Sequence, residues 1–330
     1  CGDTGGLQPG SPWPMRSRCP THTGRSAITG PSSVAKSKWK VPICPGNALD
    51  AAPAIAADGT IYLGCRNKSF YAVDPGGAVK WSVPTGDAVS STPSIGADGT
   101  VFFVSDDGHV YAVTPGGDVK WKTPVATGTL GDASPTLRGD GTVLVPTANR
   151  EVLALRPDDG SVVFSRTICS ADKAPTWLPT SLAVAPNGTL YAACLEGLVA
   201  MTPSGAIAWT VNLSCHSSAP AVGPDGTVYV GTTDGKLVAE RPDASIRYTY
   251  QAGDAIQGSP ALDAAGNVYV TSQDKYLHAI GPDGKKKWAF FLQQAPGGLS
   301  TPTIGADGRL YLAVVLWLFS ISPDGMLTSS

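Results

Sequence analysis

The fold is decided by a stretch that recurs along the chain and first occurs at residues 58–81, which read DGTIYLGCRNKSFYAVDPGGAVKW. An Asp-Gly turn opens the stretch, a second turn follows at Pro75, and Trp81 ends it. The glycine of the first turn returns at Gly59, Gly99, Gly141, Gly188, Gly226, Gly266 and Gly308. Self-similarity at a period of about 40 residues is typical of repeat architectures. The sequence therefore predicts seven copies of one structural unit.

Each copy is expected to form four short strands, A to D. Pro53 and Pro93 stand at the start of strand A, where the missing N–H is tolerated. The Asp-Gly pair then supplies the positive φ that a tight hairpin needs. Strands B and C are apolar on both faces, so each sheet needs a neighbour on either side, which a radial arrangement provides. We expect an all-β fold, a seven-bladed β-propeller of four-stranded antiparallel blades spanning residues 37–330 as a single domain.

An aromatic residue ends strand D and is predicted to dock between consecutive blades. The docking residues are Trp39, Trp81, Trp121, Phe164, Trp209, Tyr248 and Trp288. In the seventh copy Ser329 stands at this place, and an orphan strand-like segment, residues 37–41, precedes the first copy. We expect this segment to supply the outer strand of the last blade and to close the ring. In the alternative, Met326 and Leu327 form that strand and Trp39 begins a partial eighth blade.

The composition restricts the possible functions. Charged residues are 15% of the 330, the net charge is −2, and hydrophobic residues are 42%. Such a chain can bury a large core, but it has no basic field to attract nucleic acid or anionic lipid. No apolar run reaches the roughly 18 residues that a membrane-spanning helix needs.

The N-terminal region is predicted to lie outside the propeller. Residues 1–12 are small and polar, as in a flexible tether, and residues 13–36 form a lead segment. A leading Cys1 before such a tether resembles the mature end of a bacterial lipoprotein, so we expect lipidation at Cys1. Acyl chains there would hold the protein on a bacterial envelope membrane, in the periplasm or at the cell surface.

The other six cysteines are an even number, and none forms a C-x-x-C pair, which favours disulfides in an oxidising compartment over a zinc site. In the first copy, Cys44 precedes strand A and Cys65 ends strand B. Cys169 and Cys194 occupy the matching places of the fourth copy, so we predict the bridges Cys44–Cys65 and Cys169–Cys194. By elimination Cys19 pairs with Cys215, and Cys194–Cys215 is the rival pairing.

Three segments share a sequence pattern with a known family: residues 72–81, 112–121 and 279–288 each run from an alanine through a turn to a tryptophan. They resemble the tryptophan-docking repeat of pyrroloquinoline-quinone-type propellers. The lead segments 13–16 and 23–26 resemble the entry motif of secreted bacterial proteins in that group. The resemblance covers about residues 13–330, and it is specific for the fold but weak for activity.

The resemblance implies two kinds of protein. Quinoprotein dehydrogenases of this type use the quinone, a Ca²⁺ ion, an aspartate base and commonly two adjacent cysteines, and this chain has no adjacent cysteines. A non-catalytic branch is similar to the propeller lipoprotein of the outer-membrane assembly machinery. We expect the second kind, a monomeric scaffold for protein–protein interaction at a bacterial envelope, without cofactor, metal or catalytic residues. The alternatives are a quinone-dependent dehydrogenase, a relic that binds the quinone and Ca²⁺, and a glycan-binding propeller.

A channel site would draw on one position that recurs three residues before strand A. The residues there are Asp50, Ser90, Asp132, Ser217 and Gln257. The two carboxylates, which are separated by one blade, could hold a cation or a sugar, whereas solvated turn residues are the plainer interpretation. The four histidines fall at non-equivalent positions and predict no ligand set.

A contact surface for a partner is predicted where the B–C turn of the seventh copy becomes apolar. Val315, Leu316 and Trp317 occupy a turn that is polar or contains glycine in the other copies. Exposed apolar patches of this kind often contact proteins. The longer fourth copy adds Trp177 to the same face. In the alternative, the N-terminal segment packs over these side chains.

Overall fold

A computed structural model describes residues 39–46, 51–125, 133–169, 181–194, 197–215, 219–296, 300–314 and 317–329. These residues form seven antiparallel sheets of four strands each, and every sheet runs in chain order from strand A to strand D. Each sheet is one blade of a seven-bladed β-propeller, as the sequence predicts. No helix in the described ranges has the length and apolarity to span a membrane.

The strands take the following bounds. Blade 1 contains β1 (Ala54–Ile55), β2 (Ile61–Cys65), β3 (Ser69–Val73) and β4 (Val79–Pro84), and blade 2 contains β5 (Ser94–Ile95), β6 (Val101–Ser105), β7 (His109–Val113) and β8 (Val119–Pro124). Blade 3 contains β9 (Thr136–Leu137), β10 (Val143–Pro146), β11 (Glu151–Leu155) and β12 (Val162–Thr167), and blade 4 contains β13 (Ala183–Val184), β14 (Leu190–Cys194), β15 (Gly197–Met201) and β16 (Ile207–Asn212). Blade 5 contains β17 (Ala221–Val222), β18 (Val228–Gly231), β19 (Lys236–Glu240) and β20 (Ile246–Gln251), and blade 6 contains β21 (Ala261–Leu262), β22 (Val268–Thr271), β23 (Tyr276–Ile280) and β24 (Lys286–Phe291). Blade 7 contains β25 (Thr303–Ile304), β26 (Leu310–Val314), β27 (Trp317–Ile321) and β28 (Leu327–Ser329).

The Asp-Gly turns hold strands A and B together through local hydrogen bonds. In blade 1, Asp58 accepts the Thr60 N–H at 2.9 Å and the Thr60 hydroxyl at 2.8 Å. Gly59 adopts a φ of 82°, which glycine reaches without strain. Lys80 of strand D lies 3.6 Å from the Asp58 carboxylate and ties the outer strand to the same turn.

The core lies between the blades rather than at a common centre. In the described residues, each pair of consecutive blades from 1 to 7 encloses one cluster of buried apolar side chains. Between blades 1 and 2, the rings of Phe70 and Phe103 stack with their centroids 3.9 Å apart. Hydroxyls join neighbouring A strands, as where Ser94 donates to the Pro135 carbonyl at 2.6 Å. The sheets therefore cover each other, as sheets apolar on both faces require.

The strand D aromatics dock on the next blade, as predicted. Each indole N–H donates to the carbonyl of a turn proline at 2.9–3.0 Å, in the pairs Trp39–Pro75, Trp81–Pro115, Trp121–Pro157, Trp209–Pro242 and Trp288–Pro323. The ring lies against a turn residue with positive φ, such as Gly117 beneath Trp81 and Gly325 beneath Trp288. Phe164 and Tyr248 lie over Gly205 and Gly284 in the same way.

Phe164 has no N–H to donate, and an arginine of its own blade takes over that function. Arg138 donates from Nη1 to the carbonyl of Pro203, the position that receives an indole N–H in five of the other six blades. The same guanidinium pairs with the Asp140 carboxylate. Arg166 also donates from Nε to the Gly205 carbonyl at 2.9 Å. The turn of blade 4 thus keeps its hydrogen bonds without a tryptophan.

Closure of the ring differs in detail from the prediction. Trp39 does dock on blade 1, in the place that the aromatic of the last blade would take. However, residues 39–46 contain no strand, and the fourth strand of blade 7 in the described residues is its own β28. This strand has three residues where the other blades have six, and it places Ser329 opposite Ser320. The aromatic and the outer strand therefore come from opposite ends of the chain.

The cysteines confirm two of the three predicted bridges. Cys44 is bonded to Cys65 and Cys169 to Cys194, with Cα atoms 6.0 and 5.8 Å apart. The pairing of Cys215 with Cys19 is wrong, and so is the rival pairing with Cys194, because Cys215 is a free thiol. Its side chain is fully buried in the apolar cluster between blades 4 and 5. Cys1 and Cys19 lie outside the described residues.

Candidate functional site

The B–C turns and the D–A loops lie at the same end of every blade, and together they form the surface that we call the loop face. The A–B and C–D turns lie at the opposite end. This follows from the antiparallel order of each sheet, in which strands A and C run against strands B and D. Ser90, Gln257 and Trp317, the predicted channel and contact residues that the structure describes, lie at the loop face.

Aspartates of the B–C turns fix the D–A loops. In blade 2, Asp107 Oδ2 accepts the backbone N–H of Gly86 at 2.8 Å and the hydroxyl of Tyr111 at 2.7 Å. Blade 6 repeats the arrangement, since Asp274 Oδ2 accepts the Gly253 N–H at 2.8 Å. The backbone of the loop face is therefore held by hydrogen bonds that these turns provide.

His278 takes the place of Tyr111 in blade 6. Its Nε2 lies 3.0 Å from Asp274 Oδ2, and its Nδ1 lies 2.9 Å from the Tyr250 hydroxyl. Burial opposes ionisation of Asp274, but the Gly253 N–H and His278 keep the pKa of this carboxyl below its ordinary value. Aspartate, imidazole and phenol in series could carry a proton. The imidazole is buried, and its contact with the aspartate matches the tyrosine–aspartate hydrogen bond of blade 2. We therefore interpret these three side chains as structural support for the B–C turn.

The predicted channel residues are engaged within their own blades. Ser90 donates from Oγ to Asp106 at 3.3 Å, and Gln257 accepts from Gln273 Nε2 at 2.9 Å. Each therefore contacts the B–C turn of the blade that it precedes, and the structure does not bring the two together. Asp50, Asp132 and Ser217 lie outside the described residues. Within the described ranges, no group of three His, Cys, Asp or Glu side chains could hold a metal ion.

The apolar surface predicted on blade 7 is present at Trp317, whose side chain is 49% exposed. The following residue, Leu318, is 61% exposed. At the position of Leu318 the other six blades bury their side chains completely, as Phe70, Val110, Val152, Leu198, Leu237 and Leu277. Val315, Leu316 and Trp177 lie outside the described residues. Blade 7 thus exposes side chains of a type that the rest of the ring covers.

Blade 7 also has a short outer strand. In a complete blade, strand D pairs with all five residues of strand C, as β24 pairs with Tyr276–Ile280. In blade 7, β28 pairs only with Ser320 and Ile321. Trp317–Phe319 therefore have no outer strand beside them among the described residues. An edge left open in this way can also accept a strand from another chain.

Blade 6 exposes two further aromatic residues, which the sequence pattern did not reveal. Tyr276 and Phe291 are paired across β23 and β24, have ring centroids 5.3 Å apart, and are 37% and 50% exposed. The residues equivalent to Phe291 are Pro84, Pro124, Thr167, Asn212 and Gln251. Comparing the ends of strand D copy by copy would have revealed this change. We call Tyr276, Phe291, Trp317 and Leu318 the apolar rim.

Comparison with solved structures shows the same fold at low sequence identity. BamB from Moraxella catarrhalis is 21% identical, with a TM-score of 0.68 over 85% of this chain and 84% of that chain. A europium-containing methanol dehydrogenase is 14% identical, with a TM-score of 0.76 over 98% of this chain and 85% of that chain. The quinohemoprotein alcohol dehydrogenase from Comamonas testosteroni is 11% identical, with a TM-score of 0.71 over 98% of this chain and 73% of that chain.

Comparison with curated proteins gives no significant match. The family model described as outer membrane protein assembly factor BamB matches residues 32–202 and 195–313. These two matches together span most of the chain and include all or part of every blade. The repeat, the docked tryptophans and this match agree, and the chain belongs to the BamB family of outer membrane protein assembly factors.

Proposed function

We propose that this protein is a non-catalytic scaffold that binds a partner protein at a bacterial cell envelope, and that the apolar rim is the contact surface. The family described as outer membrane protein assembly factor BamB supports a function in assembly rather than in a reaction. The two disulfides favour a location outside the cytoplasm, where such bonds persist. Lipidation of Cys1 would hold the scaffold at the membrane.

The observation that carries this proposal is the contrast between Leu318 and its six equivalents. A side chain that is 61% exposed in one blade and fully buried in the other six marks a surface that no other described residue covers. Trp317, the preceding residue of the same strand, is also exposed, and aromatic residues are enriched in protein interfaces. Because burying apolar surface stabilises a complex by about 25 cal/mol per Å², covering the rim would favour association.

The test is site-specific photo-crosslinking in the native envelope. A photoreactive amino acid at Trp317 or at Leu318 should give one crosslinked envelope protein, identified by mass spectrometry. The matched controls carry the same probe at Ser69 and Lys236, which open strand C in blades 1 and 5 and are partly buried polar residues. These positions should give no crosslink to that protein. Equal crosslinking at all four positions would contradict a specific contact surface.

A paired substitution gives an independent measure. Leu318→Asp with Trp317→Ser should abolish the crosslink formed from a probe at Phe291 while the protein keeps its melting temperature, because exposed side chains contribute little to stability. The competing function is a quinone-dependent enzyme, in keeping with the structural likeness to methanol dehydrogenase. Calorimetry with pyrroloquinoline quinone and Ca²⁺ separates the two, since micromolar binding together with dye reduction would contradict a scaffold.

A further inference from the structure

Glu240 is a carboxyl group in a position that the other blades reserve for apolar side chains. It ends strand C of blade 5, and the equivalent residues are Val73, Val113, Leu155, Met201, Ile280 and Ile321. All seven side chains are fully buried. Both carboxyl oxygens of Glu240 lack a hydrogen-bond partner. A buried ion without a partner is costly, so the group is stable here only in its neutral form.

The Glu240 side chain faces blade 4. It lies opposite Val228 in the ladder of β18 and β19, and Val228 belongs to the apolar cluster between blades 4 and 5. Residues opposite each other in a ladder point to the same face of the sheet. The carboxyl group is therefore enclosed between the two blades.

Within the described part of the chain, no cation compensates an ionised Glu240. The strands of blade 4, β13 to β16, contain no Asp, Glu, Lys or Arg, and the facing strands β17 and β18 contain none either. Close in sequence to Glu240 are Arg241, Asp243 and Arg247 of blade 5, and Tyr191 belongs to the apolar cluster between blades 4 and 5. Arg241 donates to Ser245 and to the Ile246 carbonyl, and Arg247 donates to Asp225. Burial, with Asp243 adding repulsion, raises the pKa of Glu240.

We infer that Glu240 makes the seam between blades 4 and 5 a protonation-dependent opening point in the ring. When the carboxyl group is neutral, the seam stays closed. When it loses its proton, the ion gains solvation only if blades 4 and 5 separate. The direction follows from linkage: the unfolded or open state ionises first, so the closed seam loses stability as pH rises above the ordinary glutamate pKa.

Cys215 reports on separation of the whole seam. It belongs to the same apolar cluster as Val228, and it bridges to Thr232, near the loop face, whereas Glu240 ends its strand near the opposite face. Burial raises the pKa of this thiol to about 12, so it is unreactive while the seam is closed. An effect of Glu240 on the alkylation of Cys215 therefore requires that the blades part along their full length.

The experiment measures alkylation of Cys215 by iodoacetamide between pH 5 and pH 9, with peptide mapping to locate the modified thiol. Glu240→Leu restores the apolar type of the other blades, and Glu240→Gln keeps the size and polarity without a charge. The matched control, Glu151→Leu, removes a partly exposed glutamate of strand C in blade 3. The intrinsic ionisation of the thiol is the same in all four proteins, so it cancels in the ratio of their rates.

As pH rises, Cys215 should be alkylated increasingly faster in the wild type and in Glu151→Leu than in both Glu240 variants. The ratio of the alkylation rates should grow by about tenfold for each unit by which the Glu240 pKa is raised. At pH 5 the difference should shrink. Identical pH dependence in wild type and Glu240→Leu would overturn the proposal. So would a Glu240→Gln protein that behaves like wild type, because polarity rather than ionisation would then open the seam. Increased hydrogen exchange in β19 and β20 without alkylation of Cys215 would mean that these strands only fray locally. This result would also contradict the proposed opening of the seam.

Discussion

At the scale of single residues, the turn of blade 5 differs from the others at Ala244. This residue has a φ of 65°, where the equivalent turns of the other blades have a glycine. A residue other than glycine in this left-handed backbone region destabilises the fold by roughly 1–2 kcal/mol. Glycine there costs roughly 0.5–1 kcal/mol, because its unfolded chain has more conformational freedom. We therefore predict that Ala244→Gly raises the free energy of unfolding by about 0.5 kcal/mol, measured by urea denaturation.

The reverse change serves as the control for this prediction. Gly284 has a φ of 79°, and a Cβ added there would lie 2.6 Å from the ring of Tyr248. Gly284→Ala should therefore combine backbone strain with overpacking and cost more than about 1 kcal/mol. If Gly284→Ala left the free energy of unfolding unchanged, the docked ring would adjust freely. This result would remove the basis for the expected gain at Ala244.

Residues whose function is local could be predicted from the sequence. Pro75 and Trp81 recur with a fixed spacing, so their turn and docking positions follow from the repeat itself. Glu240 stands at an apolar position of the repeat, but only the folded seam shows that no partner reaches it. The free thiol of Cys215 was missed for a related reason, because counting cysteines in pairs cannot show which one the core encloses.

At the scale of elements, the contact of blade 3 with blade 4 depends on Arg138 because Phe164 has no donor. We predict that Arg138→Ala lowers the free energy of unfolding by about 1 kcal/mol, the usual contribution of a hydrogen bond. Phe164→Trp should restore most of this loss in the Arg138→Ala background, since an indole N–H can then reach the Pro203 carbonyl. In the wild type, Phe164→Trp should give no comparable gain, because Arg138 already occupies that carbonyl.

The control separates this hydrogen bond from the ion pair that Arg138 makes with Asp140. Asp140→Ala removes the ion pair and leaves the arginine available for Pro203. Phe164→Trp should therefore not rescue Asp140→Ala in urea denaturation. Equal rescue of both variants would mean that the indole stabilises the blade in some other way.

The elements were predicted better than their ends. Turns and apolar strands alternate within each copy of the repeat, so this local pattern was enough to predict the positions of all seven blades. The apolar rim was predicted only at Trp317, because Leu318 is buried at the equivalent position of every other blade. Its exposure depends on what packs against that face of blade 7, which the identity of Leu318 does not show. Tyr276 and Phe291 were missed because single aromatics at strand ends look unremarkable in one copy.

At the scale of the whole molecule, the segment that joins the N-terminal region to the ring is held on blade 1 at two points. Trp39 docks through its indole N–H on Pro75 and packs against Gly77. Five residues further on, Cys44 is bonded to Cys65. Either attachment keeps the segment at a high effective concentration near its site when the other is lost. The two contributions to stability should therefore be coupled.

We predict that Trp39→Ala combined with Cys44→Ser and Cys65→Ser costs less than the sum of the two separate changes, by at least about 1 kcal/mol, because each attachment contributes less once the other is lost. The disulfide alone should contribute roughly 2–4 kcal/mol. Urea denaturation of the four proteins gives the coupling energy directly. Trp81→Ala is the matched control, because Trp81 lies in β4, which the sheet of blade 1 holds whether or not the disulfide is present. The free energy of unfolding lost in Trp81→Ala should add to the loss caused by removing the disulfide, without coupling. A coupling of equal size for Trp81 would mean that the disulfide stabilises blade 1 as a whole rather than the segment that joins it.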